Sequence, residues 1–136
     1  MCSTPRDCAV NPEAREAERW ERVDRTLEEV LDRLTQLEAL GVRGRAQFDD
    51  ESTLISLAAH SLLIQVGEAA KDLPEAFRSQ HGQVSWKSLI GIRDRAAHLY
   101  NLIDWDVIFT TIVRDIPRDR AAVETIVRER GARPGI

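Results

Sequence analysis

An apolar period of three and four residues constrains this chain more than any other feature. Trp20, Val23, Leu27, Val30, Leu31, Leu34, Leu37 and Leu40 recur at that spacing, which lines them along one side of an α-helix. Asn11 can cap that helix and Pro12 suits its first turn; Gly41 is expected to end it. The opposite side mixes charges, with Glu18–Arg22 and Glu21–Arg25 at the favourable spacing of four. No strand-like alternation competes with this period anywhere in the chain, and there is no internal repeat or low-complexity segment.

The same reading extends to the end of the chain. After a polar link from Val42 to Phe48, Asp49 or Asp50 caps a second helix carried by Leu54, Ile55, Ala58, Leu62, Val66, Ala69 and Leu73. Its middle, Leu57 to Val66, is apolar nearly all round, which predicts a central, largely buried helix. Gly67 interrupts it against helix propensity; a glycine there most often lets a neighbouring helix come close. Pro74 starts a short piece, Glu75 to Gln80, and His81-Gly82-Gln83 is a turn. Ser85 caps a further helix with Trp86, Leu89, Ile90 and Ala97 as its apolar positions. Asn101 to Ile103 form a loop. Asp104 then caps a helix with Trp105, Ile108, Phe109, Ile112 and Val113. Pro117 breaks or restarts it, and Ala121, Ile126 and Val127 carry a last segment that Gly131 stops. The expected fold is all-α, an antiparallel bundle of four longer helices plus a short one, since short links favour antiparallel neighbours.

At 136 residues the chain is expected to hold one domain, spanning residues 12–130, with a flexible tail at 1–11 and a loose one at 131–136. The net charge of −4 is uneven. Residues 1–68 carry eight basic and fourteen acidic side chains, and residues 69–136 eleven and nine. That excludes a strongly basic coat for non-specific nucleic-acid binding. It leaves room for a local basic patch from Lys87, Arg93, Arg95, Arg114, Arg118 and Arg120. The only cysteines, Cys2 and Cys8, lie in the polar start and make no disulfide framework. No apolar run reaches membrane-span length, and the start lacks the apolar core of a signal peptide, so a cytoplasmic protein with no membrane role is expected.

Chemistry concentrates in Gly91-Ile92-Arg93-Asp94-Arg95-Ala96-Ala97-His98-Leu99-Tyr100. On a helix, Arg93 and Tyr100 share one stripe and Asp94 and His98 the neighbouring one. Arginine is a permanently charged fork that matches phosphate, and histidine exchanges protons near neutral pH. Of the other histidines, His60 reads as a buried, hydrogen-bonded structural residue and His81 as a solvated turn residue. Glu68 and Lys71 fall where they could approach the motif helix or form a salt bridge at a packing edge. The Glu-x-x-His pairs of a di-metal bundle, zinc-ligand spacing, phosphate-cradling glycine loops and a serine nucleophile elbow are all missing. Neither a metal nor a cofactor is expected. Taken alone, the cluster on the motif helix is also what a surface ion network looks like.

Arginine, four residues, histidine, one residue, tyrosine is the signature of HepT-family HEPN toxins, and Arg93, His98 and Tyr100 fit it without a gap. The resemblance continues through Phe48-Asp49-Asp50, Gly67-Glu68-Ala69-Ala70-Lys71, Trp86 to Asp94, Trp105-Asp106-Val107-Ile108 and Asp115-Ile116-Pro117. It covers the chain from Trp20 to Val127. Asp94 departs from the asparagine that many members carry.

The resemblance implies an all-helical homodimer that cuts RNA without a metal, as the toxin of a type II/VII-like toxin–antitoxin pair. The motif helices of both protomers would meet in one cleft. Attack of a 2′-hydroxyl on its own phosphate wants a base, an acid and a phosphate stabiliser; a two-fold axis supplies a second His98 and a second Arg93. In this scheme Arg93 holds the scissile phosphate, His98 transfers protons and Asp94 supports its ring. Lys87 and Arg95 are candidate RNA contacts. The family also implies a partner, an MNT-type nucleotidyltransferase antitoxin that transfers AMP to the motif tyrosine, here Tyr100. The competing reading is a non-catalytic helical dimer that binds nucleotide or a nucleotidyltransferase.

Overall fold

Asn11 opens the first helix as expected. Its side-chain oxygen accepts from the amides of Glu13 at 3.1 Å and Ala14 at 3.4 Å, with Pro12 in the first turn. The computed structural model describes residues 11–43, 54–98 and 104–131, with Ala97 and His98 described as helix backbone only. Among these residues there are six helices and no strand. They are α1 (Pro12–Val42), α2 (Leu54–Asp72), α3 (Glu75–Gln80), α4 (Trp86–His98), α5 (Trp105–Arg114) and α6 (Ile116–Gly131). None is long and apolar enough to cross a membrane.

The period of three and four becomes the spine of the core. Val23, Leu27, Val30, Leu34 and Leu37 of α1 are at most 3% exposed. Each such side chain contributes roughly 1.5–3 kcal/mol by leaving water. α1 packs against α2, α5 and α6, while α2 lies between α1 and α4. The α2–α4 seam is the most extensive helix pair in the molecule.

Several expectations change. α1 runs through Gly41 to Val42 instead of stopping at the glycine. The reason is packing: a Cβ at Gly41 would meet Ile112 Cγ2 at 3.0 Å, so the glycine admits α5. Asp115 separates α5 from α6, and Pro117 sits in the first turn of α6. The described residues therefore hold five longer helices and one short one, where four and one were expected. Val113, one of the apolar residues of α5, is 49% exposed. His81 is not simply solvated. Its ring packs at a tilt of 42° against Phe77 with centroids 4.4 Å apart, and its carbonyl accepts from Trp86 Nε1 at 2.9 Å.

The middle of α2 is less buried than its composition suggests. Ala59, Leu62, Leu63 and Val66 are core residues, but Leu57 is 45% exposed and Leu54, at the helix start, 83%. With α1 and α4 covering two sides, the third side of α2 is left open among the described residues. The Asp104 cap is as expected, accepting from the amides of Asp106 and Val107. The Asp49–Asp50 cap, the Asn101–Ile103 loop, Tyr100 and the two expected tails, apart from Asn11 and Gly131, lie outside the described residues.

The start of α4 is fixed by a residue that sequence reading missed. Asp119 of α6 is 1% exposed, and its Oδ1 accepts from the Ser85 amide at 3.0 Å. Burial pushes its carboxyl above the usual range, and hydrogen bonds from Ser85 partly oppose this. A carboxyl raised on folding stabilises fully below its unfolded pKa, and that contribution is lost as pH rises through the folded value. Asp119→Asn keeps an acceptor and sheds the charge, so it should flatten this acid-side dependence and match or exceed wild type at pH 7. Asp119→Ala strands the Ser85 amide and should cost about 1–3 kcal/mol. Urea melts at pH 4 and pH 7 check both; a wild-type profile in Asp119→Asn would refute the assignment.

Candidate active site

Gly67 decides where the motif arginine sits. A Cβ at this glycine would lie 1.9 Å from Arg93 Cβ and 2.6 Å from its Cγ. The stem of Arg93 therefore lies in the notch that Gly67 leaves in α2, and the α2–α4 seam closes over it. The expectation that this glycine admits a neighbouring helix holds, and the neighbour is the arginine itself.

Beyond the notch, the guanidinium meets two carboxylates. Nη2 donates to Glu68 Oε1 from α2, and Nη1 donates to Asp94 Oδ1 at 2.8 Å. Nε is buried and has no hydrogen-bond partner among the described residues. The arginine side chain is 21% exposed, and both carboxylate side chains are 51% exposed. The fork is thus held from two sides at the surface, and each η nitrogen keeps a second N–H for another acceptor. Glu68 does reach the motif helix. Lys71 lies exposed in the last turn of α2 and makes no ion pair among the described residues.

His60 also acts on the motif helix. Its Nε2 lies 2.9 Å from the carbonyl of Ala96. A carbonyl can only accept, so Nε2 carries the proton. Ala96 is in the last turn of α4, where carbonyls lack partners within the helix. His60 therefore ties down the end of α4 that carries His98. The structural, hydrogen-bonded role expected for it is what the geometry gives. Its partner 36 residues away had no local signal.

Around α4, at about 100° per residue, Lys87, Gly91 and Arg95 fall on one outward side, and position 98 continues their register. Arg93 lies roughly opposite, on the side facing α2. Lys87 and Arg95 line one groove with Arg118. The other expected members of a basic patch do not gather there. Arg114 leans on Asp115 at 3.9 Å. Arg120 is bound to Glu38 of α1 and to Glu124 at 2.6 Å, and the hydrogen bond and charge of Arg120 hold the Glu124 carboxyl below its usual range. No group of three or more His, Cys, Asp or Glu residues that could hold a metal ion occurs among the described residues.

Comparison with known proteins bears on the family. The family model described as "Ribonuclease HepT-like" matches residues 21–126. "Putative RNase TTE0752" of Caldanaerobacter subterraneus subsp. tengcongensis is 38% identical over 64 residues, covering 47% of this chain and 57% of that protein. "Putative RNase MJ0127" of Methanocaldococcus jannaschii is 34% identical over 64 residues, covering 47% and 53%. "Probable ribonuclease HepT" of Thermococcus cleftensis is 31% identical over 61 residues, covering 45% and 56%. The chain spans a little over half the length of these curated relatives. No solved structure matches it.

Proposed function

The chain belongs to the HepT-like ribonuclease family, and from that premise we propose that it is a metal-independent endoribonuclease with a site shared between two copies. The observation that carries this reading is Arg93. It is held at the surface by Glu68 and Asp94, on the same helix as His98. Arg93 contacts the scissile phosphate and offsets the charge that builds on it. His98 takes the 2′-hydroxyl proton, and the second His98 protonates the leaving oxygen. Asp94 supports both groups from between them in the sequence.

The open side of α2 supports pairing. Leu54, Leu57, Ser61, Ile64 and Glu68 follow at threes and fours, with Leu54 and Leu57 exposed. That stripe ends on the carboxylate that holds Arg93. Burying it against a second copy would bring two motif helices to one cleft of an antiparallel bundle dimer. The same reading makes the protein a cytoplasmic toxin whose antitoxin is an MNT-type nucleotidyltransferase. AMP placed on Tyr100 would occupy the arginine that RNA needs.

Purified protein should sediment as a dimer and cut single-stranded RNA in the presence of EDTA, leaving cyclic phosphate ends. Co-expression with a nucleotidyltransferase of that type should add one AMP per chain and silence cleavage. A monomer, or cleavage that stops with EDTA, would sink the shared metal-free site. No added mass would sink the control mechanism alone.

A further inference from the structure

The outward side of α4 borders a groove of about 460 Å³ against the corner between α5 and α6. Lys87, Ser88, Gly91 and Arg95 form its α4 wall, and Arg118 stands on the other side. Lys87 and Arg95 are exposed cations with no ion pair among the described residues. Arg118 leans on Asp115 at 3.7 Å. The acidic groups of the wall are engaged, Asp115 by Arg114 and Arg118 and Asp119 by Ser85. The groove therefore presents two uncompensated positive charges.

Gly91, between those charges, is a second and independent observation. A Cβ built there would have nothing within 4 Å. A glycine inside a helix weakens it relative to alanine. At Gly67 and Gly41 that loss is explained by a neighbouring helix 1.9 and 3.0 Å from the missing atom. At Gly91 nothing among the described residues requires it. What the glycine does provide is bare backbone on the groove wall, where a ligand can come closer than any side chain allows.

We propose that this groove is a subsite for the backbone of single-stranded RNA. Lys87 and Arg95 hold phosphates, and Gly91 leaves room for the strand. Lys87 and Arg95 are eight residues apart, about 12 Å along the helix, and position 98 lies three residues further in the same register. A strand bound here runs along α4 toward the histidine. The inference rests on the ribonuclease reading and adds to it where the uncut part of the substrate lies. An acidic protein surface is the weaker occupant, because it would have no use for a bare backbone strip leading to His98.

The test uses the full chain and a fluorescent single-stranded RNA with 2′-O-methyl riboses, which cannot be cut by 2′-hydroxyl attack. Gly91→Ala should melt at a higher temperature than wild type yet bind this RNA about threefold more weakly, and Gly91→Leu about tenfold more weakly. A Lys87→Ala/Arg95→Ala double variant should lower the slope of log affinity against log salt by about 1.4, or 0.7 for each phosphate released. Wild-type affinity and slope in all three variants would overturn the subsite while leaving cleavage by wild type as evidence for the ribonuclease. A wild type that neither binds nor cuts RNA would overturn both. Variants that keep RNA binding but lose a co-purified nucleotidyltransferase would reassign the groove to protein docking and overturn the proposal.

Discussion

Gly67→Ala is expected to lower thermal stability by several degrees and RNA cleavage by on the order of 100-fold. Adding a methyl group to a helix interior normally stabilises it by up to about 1 kcal/mol. Here the new carbon would sit 1.9 Å from Arg93 Cβ, far inside van der Waals contact. The clashing atoms are the root of the arginine side chain, so rotating a flexible end cannot relieve them. Helix α4 must move away from α2. Overpacking of this kind costs about 1–3 kcal/mol, which outweighs the gain in propensity. A loss of 1 kcal/mol lowers Tm by roughly 2–8 °C for domains near this size.

The loss in cleavage should exceed what the stability change explains. A seam opened by an ångström displaces the guanidinium from Glu68 and tilts the part of α4 that carries His98. Misplacement by that distance alone can cost on the order of 100-fold in rate. Cleavage measured well below the variant's Tm separates the two effects. A variant that melts like wild type would refute the notch. One that melts lower but cuts at the wild-type rate would refute its role in positioning Arg93.

The parts of this architecture that were legible in the sequence are those whose cause is local. Asn11 and Asp104 announce helix starts because a cap bonds amides two and three residues away. The α1 stripe is legible because one helix face repeats every three or four residues. The unread parts depend on partners far away in sequence. Asp119 looks like one more charged residue of α6 until Ser85 is found bonded to it, 34 residues away. Gly41 reads as a helix stop, since the alternative needs knowledge of where Ile112 lies. The exposed side of α2 was hidden for another reason: composition reports that a segment is apolar, not how many neighbours one chain supplies to cover it.

The site divides in the same way. Motif spacing placed Arg93, Asp94 and His98 on one helix, and the helix is present. It did not reveal that Arg93 points its stem into α2 or that His60 grips the Ala96 carbonyl. Nor did it show that Lys87 and Arg95 fall on the opposite side of α4 from the arginine stem. These facts make the two-copy reading more specific. Arg93 is anchored on the α2 side, whereas position 98 follows Lys87 and Arg95 in the helical register. A cleft shared between two motif helices is the arrangement in which both registers can serve one phosphate.

That sharing predicts the outcome of a mixing experiment. His98→Ala should lose about 10²–10⁴-fold in cleavage, the usual contribution of a proton-transfer group. Arg93→Lys should lose about 10²–10³-fold at unchanged stability. Lysine keeps the charge and a stem that fits the Gly67 notch, but not the fork that pairs with Glu68, Asp94 and a phosphate together. Stability should survive because ion pairs this exposed contribute little, of order 0–1 kcal/mol. If each chain worked alone, mixing His98→Ala chains into wild type would lower cleavage in proportion to the wild-type fraction. If two chains pool their groups, a mixed dimer holds one His98 and lacks either the base or the acid. Refolding wild type with His98→Ala at equal proportions should then leave about a quarter of wild-type cleavage, the share of dimers with both histidines, instead of about half. Cleavage that falls linearly with the wild-type fraction across the whole mixing series would show that each chain carries a complete site, and the shared cleft would have to be abandoned.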